Sequence, residues 1–202
     1  YYDPEHVSFG SLRVMNEDHI EAGMGFGMHP HNDMEIITYL ISGQLEHKDS
    51  MGNGEVLNRG EVQTMTAGSG IRHSEFNPSS ESSTHLIQIW IVPNQRGLTP
   101  AYQQKVFTDE MKQNRLQAIA SADGRDGSLP IHQDATIYAS LLGKGMEIGH
   151  DFRDSRSGWL QLIGGRVRVN EVGLEAGDGV AITVESGVKI TALEDAEFLF
   201  FD

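Results

Sequence analysis

The sequence predicts an all-β protein with little helix, and three observations point there. Short runs rich in β-branched and aromatic residues recur along the chain, separated by turn residues that include many of its 23 glycines. Helix is sparse. A faint internal repeat relates the first half to the second. Many short strands at this spacing are the pattern of a sandwich or a barrel.

Taken in order, the strand-like runs are residues 11–15, 34–42, 62–66, 85–92, 137–142, 159–163, 166–170, 180–184 and 197–201. Turn signals divide them at Gly43, Gly52-Asn53-Gly54, Gly60, Gly68-Ser69-Gly70, Gly164-Gly165, Gly177-Asp178-Gly179 and Gly187. Residues 108–120 are the one candidate helix, without a clear apolar stripe. In the first half Gly43-Gln44-Leu45 leads to Gly60-Glu61-Val62 and then Gly70-Ile71. In the second, Gly165-Arg166-Val167 leads to Gly177-Asp178-Gly179 and then Gly187-Val188. Two copies of one β-unit are therefore expected, residues 1–110 and 111–202, joined somewhere in residues 98–127.

Composition narrows the function. Of the 202 residues 38% are hydrophobic and 22% charged, which suits a buried core and not a disordered chain. The absence of cysteine excludes disulfides, thiolate zinc sites and cysteine nucleophiles, and it fits a reducing, cytoplasmic setting. A formal net charge of −14 opposes direct contact with nucleic-acid phosphates, and keeps a protein soluble. No apolar stretch approaches the ~20 residues that cross a membrane. No signal peptide is visible, although the chain starts at Tyr1 and not at Met.

The chemistry concentrates in two triplets, His29-Pro30-His31 and His73-Ser74-Glu75. On a strand, residues two apart project from the same face. If the two strands are neighbours, His29, His31, His73 and Glu75 converge on one point, a donor set suited to a divalent transition metal with open positions. Either triplet alone is weak, because nine histidines produce such patterns by chance. His19-Ile20-Glu21 is another and is not assigned to the site. Around the triplets, Glu35 and His47 either orient the ligand imidazoles or point elsewhere from their strands. Asn77 is placed to cap the turn after the second triplet. Trp90 reads as core before substrate stacker, and Phe26 and Phe76 as core before pocket wall. There is no P-loop and no Gly-x-Ser-x-Gly elbow, and Gly23-Met24-Gly25-Phe26-Gly27 lacks the strand-turn-helix setting of a dinucleotide loop.

The spacing of Gly23, His29, His31 and Glu35, and of Gly70, His73 and Asn77, resembles the two motifs of the cupin superfamily. Glu35 to Gly43 is one residue longer than the common cupin spacing. More specifically, His-Pro-His with a following Glu, then Glu46-His47-x-Asp49-Ser50, then Gly68-x-Gly70-Ile71-x-His73-Ser74-Glu75, resembles the pirin family. The resemblance covers residues 1–100 strongly and the second half in architecture only. It implies a two-lobed cupin, or bicupin, of two jelly-roll-like β-barrel lobes, with metal in the amino-terminal lobe alone. It implies His29, His31, His73 and Glu75 as ligands of one divalent metal, Fe(II) foremost, with Mn, Ni, Cu and Zn as alternatives. It also implies quercetin 2,3-dioxygenase activity, the oxygenolytic opening of a flavonol with loss of carbon monoxide. Glu75 is then the general base, and a small aromatic substrate and O2 are the partners. The alternative is a non-enzymatic, redox-responsive regulator that binds partner proteins. A third reading is a cupin isomerase using the metal as Lewis acid. A monomer is expected, since one chain already supplies both lobes.

Overall fold

The structure is a computed structural model that describes residues 7–153 and 156–202. It divides into two compact units, Tyr1–Phe107 with Leu129–Asp134, and Thr108–Ser128 with Ala135–Asp202. A single cut near residue 110 therefore misses the segment 129–134, which returns to the first unit.

Nine strands make the body of the first unit: β1 (Leu12–Ile20), β2 (Gly25–His31), β3 (Glu35–Ser42), β4 (Gln44–Asp49), β5 (Gly54–Asn58), β6 (Glu61–Thr66), β7 (Ile71–Phe76), β8 (Thr84–Ile91) and β9 (Ala101–Val106). They form two antiparallel sheets, in the orders β1-β8-β3-β6-β9 and β2-β7-β4-β5. Paired residues on antiparallel strands face the same way, so the registers define rows across the larger sheet. One row runs Gln104, Gln63, Thr38, Gln88, Asn16. The row on one side of it is Tyr102, Met65, Ile36, Trp90, Val14, and the row on the other includes Leu40, Leu86 and Asp18. These rows face the smaller sheet, because Gln63 and Gln88 both reach Glu75 on β7. Ile20, Leu40 and Leu86 meet Leu45 and Leu57 of the smaller sheet and close one end of the space between the sheets. Each fully buried Leu there contributes roughly 1.5–3 kcal/mol.

The remaining elements are α1 (Asp109–Lys112), β10 (Gln117–Ser121), β11 (Leu129–Pro130), β12 (Thr136–Leu142), β13 (Glu147–Asp151), β14 (Gly158–Gly164), β15 (Arg166–Val169), β16 (Val172–Glu175), β17 (Gly179–Ile182), β18 (Gly187–Ala192) and β19 (Ala196–Phe201). Of these, β11 lies in the segment that returns to the first unit. The second unit repeats the first. Its sheets carry the orders β12-β19-β14-β17, with β10 outside β12, and β13-β18-β15-β16. Phe198, Phe200, Leu160, Leu162 and Ile190 centre its core.

Every strand-like run of the sequence overlaps an observed strand. The expected helix is corrected. Residues 108–120 give a single turn, α1, then Asn114 at φ +54° and then β10. The consecutive buried residues Ala118, Ile119 and Ala120 are what a one-sided helix does not present. No helix among the described residues is long and apolar enough to cross a membrane.

Candidate metal centre

The two triplets lie on adjacent strands. His29 on β2 pairs directly with His73 on β7, after a register shift between Phe26 and His29. Pro30 falls between the two histidines on the edge strand of its sheet, where the missing N–H costs no ladder bond. Alternation then turns His29 and His31 to the same side as His73. The three ring centroids are 4.8, 4.5 and 4.9 Å apart, and one nitrogen from each lies within 4.8 Å of the others.

The electrostatics suit a cation. His29 Nδ1 donates to the Gly27 carbonyl at 2.7 Å, which leaves its Nε2 lone pair free to ligate. Burial, reinforced by the neighbouring imidazoles, brings His73 down to about 3. Burial and His29 bring His31 down to about 4. Both rings are thus neutral donors at physiological pH. His73 is fully buried, and among the described residues neither of its ring nitrogens has a hydrogen-bond partner. Stranding such atoms costs about 1–3 kcal/mol each. A divalent transition metal at the meeting point of the triad satisfies one of them, so the donor set fits such an ion.

Glu75 is placed differently from the three histidines. It is buried, and its Oε1 accepts from the Gln63 amide at 2.8 Å and its Oε2 from the Gln88 amide at 2.7 Å. Burial pushes its carboxyl up, and the two amides pull it back. It groups within 4.8 Å with His73 and His47, not with His29 and His31. His73 is therefore shared by two donor sets. Behind it, the buried His47 donates from Nε2 to Asp49 Oδ2 at 3.2 Å and stacks on Tyr102 at 4.4 Å between centroids. Asp49 is held by Met51 N, Asn53 N and the Asn53 amide, which outweigh burial and keep its carboxyl below the usual range. His47 Nδ1 is buried without a partner, with its ring 5.3 Å from that of His73.

Other expected neighbours fall out in both directions. Glu35 makes no hydrogen bond to the imidazoles of the triad among the described residues. Alternation sends it to the opposite face of β3 from Thr38, where it accepts from Thr66 Oγ1 and lies 3.3 Å from His132 Nδ1. Asn77 does hold its turn, donating to the Ile20 and Ser82 carbonyls and accepting from Ser79 N. Trp90 is half-buried and packs edge-on against His31 at 4.9 Å. Phe26 and Phe76 are not core, at 44% and 37% exposure. Phe26 pairs with Glu75 in register and shares its face, while Phe76 pairs with Gly25 and points the other way. His19 stacks on His85, which meets Glu17 at 2.7 Å away from the site. The sequence reading missed Gln63, Gln88 and Tyr102. Glutamine on a strand carries no signal until the register is known.

Residues 1–91 match the family model described as Pirin, and residues 118–202 match the one described as Quercetinase C-terminal cupin domain. Quercetin 2,3-dioxygenase of Escherichia coli K12 is 49% identical over 202 residues, covering 100% of this chain and 86% of that relative. The chain belongs to the pirin family. A pirin-like protein of Caulobacter vibrioides is 42% identical over 203 residues, covering 100% of this chain and 87% of its own length. The crystal structure of the bacterial pirin YhhW from E. coli in complex with nickel(II) superposes with a TM-score of 0.95 at 48% identity, covering 100% of this chain and 86% of that one. The fold is accordingly the two-lobed cupin fold of the pirins.

The second unit carries other residues at the corresponding register. Ile148 pairs with Ile190 on β13 and β18, where His29 pairs with His73 on β2 and β7. Ala192 occupies the place of Glu75, two residues beyond that pair. His150 stands at the position of His31, but its Nε2 is bound to Asp202 at 3.0 Å. Among the described residues, the groups of three or more convergent donors all lie in the first unit.

Proposed function

We propose that this pirin is a metal-dependent dioxygenase that opens the ring of a flavonol such as quercetin. His29, His31 and His73, joined by Glu75 once it lets go of one of its glutamine partners, hold one divalent transition metal, Fe(II) foremost, with Mn, Ni, Cu and Zn as alternatives. The observation that carries the reading is His73, fully buried with both ring nitrogens unpartnered where two further imidazoles converge. When bound, the metal supplies a Lewis acid that acidifies a flavonol hydroxyl and the redox chemistry that dioxygen requires.

The chain's own residues do the rest. The Gly27 carbonyl fixes the tautomer of His29, and the His47 ring, held by Asp49, packs beside His73. Glu75 sits beside the triad, held by Gln63 and Gln88, and receives the substrate proton as general base. Half-buried Trp90 and the pocket-side Phe26 offer apolar faces to a flat ring. The test is oxygen uptake and carbon monoxide release with quercetin by the metal-loaded protein. Both should appear together and in proportion. Metal-loaded protein that consumes no oxygen with quercetin contradicts the reading.

A second reading has one observation in its favour. Met24, Phe26, Met28 and Phe76 are exposed around the triad-bearing strands, an apolar rim of the kind that partner proteins cover. In this reading the metal's oxidation state governs a protein contact. A pull-down that gives the same partners with Fe(II) and Fe(III) protein rules it out.

A further inference from the structure

The space between the two sheets of the first unit holds a second carboxyl besides Glu75. Asp18 on β1 pairs with Leu86, and its row neighbours on the same face are Asn16 opposite Gln88 and Val14 opposite Trp90. Gln88 donates to Glu75, and Trp90 packs on His31. The pocket side of β1 is therefore the side that carries Asp18. Its outward neighbours confirm the alternation, since Glu17 and His19 pair with Ile87 and His85 and engage His85 instead. Asp18 is half-buried, and among the described residues nothing donates a hydrogen bond to its carboxylate. Burial pushes its carboxyl up, with His19 opposing, and its charge adds to the upward push on Glu75. A half-buried carboxylate without a protein donor takes its hydrogen bonds from water until a ligand hydroxyl displaces that water.

We infer that Asp18 is a positioning and specificity residue, whose carboxylate accepts a hydrogen bond from a phenolic hydroxyl of a polyhydroxylated aromatic substrate lying across the histidine triad. The inference rests on the flavonol reading above and deepens it. An ionised carboxylate only accepts, so it selects hydroxyl-bearing rings over their unsubstituted analogues. Asn16 and Gln88, in the adjoining row, extend the same polar strip, while Phe26 and Trp90 supply the apolar walls.

The experiment compares quercetin with 3-hydroxyflavone, the flavonol lacking the other hydroxyls, in metal-loaded parent, Asp18→Asn and Asp18→Leu proteins. Tryptophan-fluorescence quenching gives Kd beside the oxygen-uptake values of kcat and KM. For quercetin, KM and Kd should both rise roughly ten- to a hundredfold in Asp18→Leu, with kcat little changed. For 3-hydroxyflavone the shift should be much smaller. Asp18→Asn should fall between the two. Equal shifts for both flavonols, or none for quercetin, overturn the inference while leaving the dioxygenase reading intact. If the parent turns over neither flavonol, the dioxygenase reading fails. The Kd values then decide the inference alone: a quercetin-specific loss supports it, and a parent that does not bind quercetin overturns it.

Discussion

His73 is the residue on which the site turns. It belongs to both donor groups of the first unit and has both ring nitrogens buried without partners. The sequence made the three histidines legible, because strand periodicity alone aims His29 and His31 together and the β2/β7 pairing adds His73. It did not make the posture of Glu75 legible, since that depends on two glutamines from a different sheet. Replacing Glu75 with Gln should leave the protein folded and lower flavonol turnover by ~10²–10⁴-fold; unchanged oxygen uptake is evidence against its role as base. Replacing His47 with Ala should weaken metal affinity ~10–100-fold without abolishing it, read by competition with a chelator. Affinity equal to the parent's contradicts the role given to the Asp49–His47 pair.

At the scale of elements, the strands found from sequence were those with apolar runs, such as β3, in which Glu35 through Ile41 are buried without a break. The strands of the sheet that carries the histidine triad are harder to read. Gly25-Phe26-Gly27-Met28-His29-Pro30-His31 of β2 mixes glycine, proline and polar residues on an edge strand. Its strand character comes from pairing with β7 and not from propensity. Residues 108–120 failed as a helix for the complementary reason, since buried alanines and Ile119 suit a strand once neighbours cover them. The repeat was legible because backbone geometry preserves its glycines. Gly43 and Gly165 have φ of +80° and +79° at the same turn in each unit. A Cβ on Gly43 would come within 2.8 Å of the Ser83 carbonyl, and one on Gly165 would press on the Asp195 carbonyl more closely still. Gly43→Ala and Gly165→Ala should each destabilise by ~2–4 kcal/mol, measured from the urea midpoint. A loss below ~0.5 kcal/mol for both contradicts the shared turn geometry.

For the whole molecule, the two units share a strand order and differ in the side chains at the corresponding register. The second keeps the strand order, while Ile148, Ile190 and Ala192 replace donors with apolar side chains that fill its core. Its histidine, His150, is tied into a pair with Asp202, which Arg156 also holds. Burial raises the Asp202 carboxyl, but these two partners outweigh it and leave it below its ordinary value. A carboxyl lowered in the folded state stabilises above its unfolded pKa, and that contribution fades as pH falls through the folded value. Asp202→Asn should therefore be less stable than the parent at pH 7, with the gap closing in acid below the usual carboxylate range. A gap that does not change with pH contradicts the pairing. The charge of −14 also predicts that duplex DNA is not retarded by this protein even at ~50 mM salt, where phosphate contacts are strongest. The histidine triad of the first unit is the proposed metal site. Its most direct test is anaerobic metal analysis of purified parent and His73→Ala protein. The parent should hold close to one transition-metal ion per chain and the variant almost none. Equal metal in both proteins, or none in the parent after anaerobic loading with iron, would contradict it.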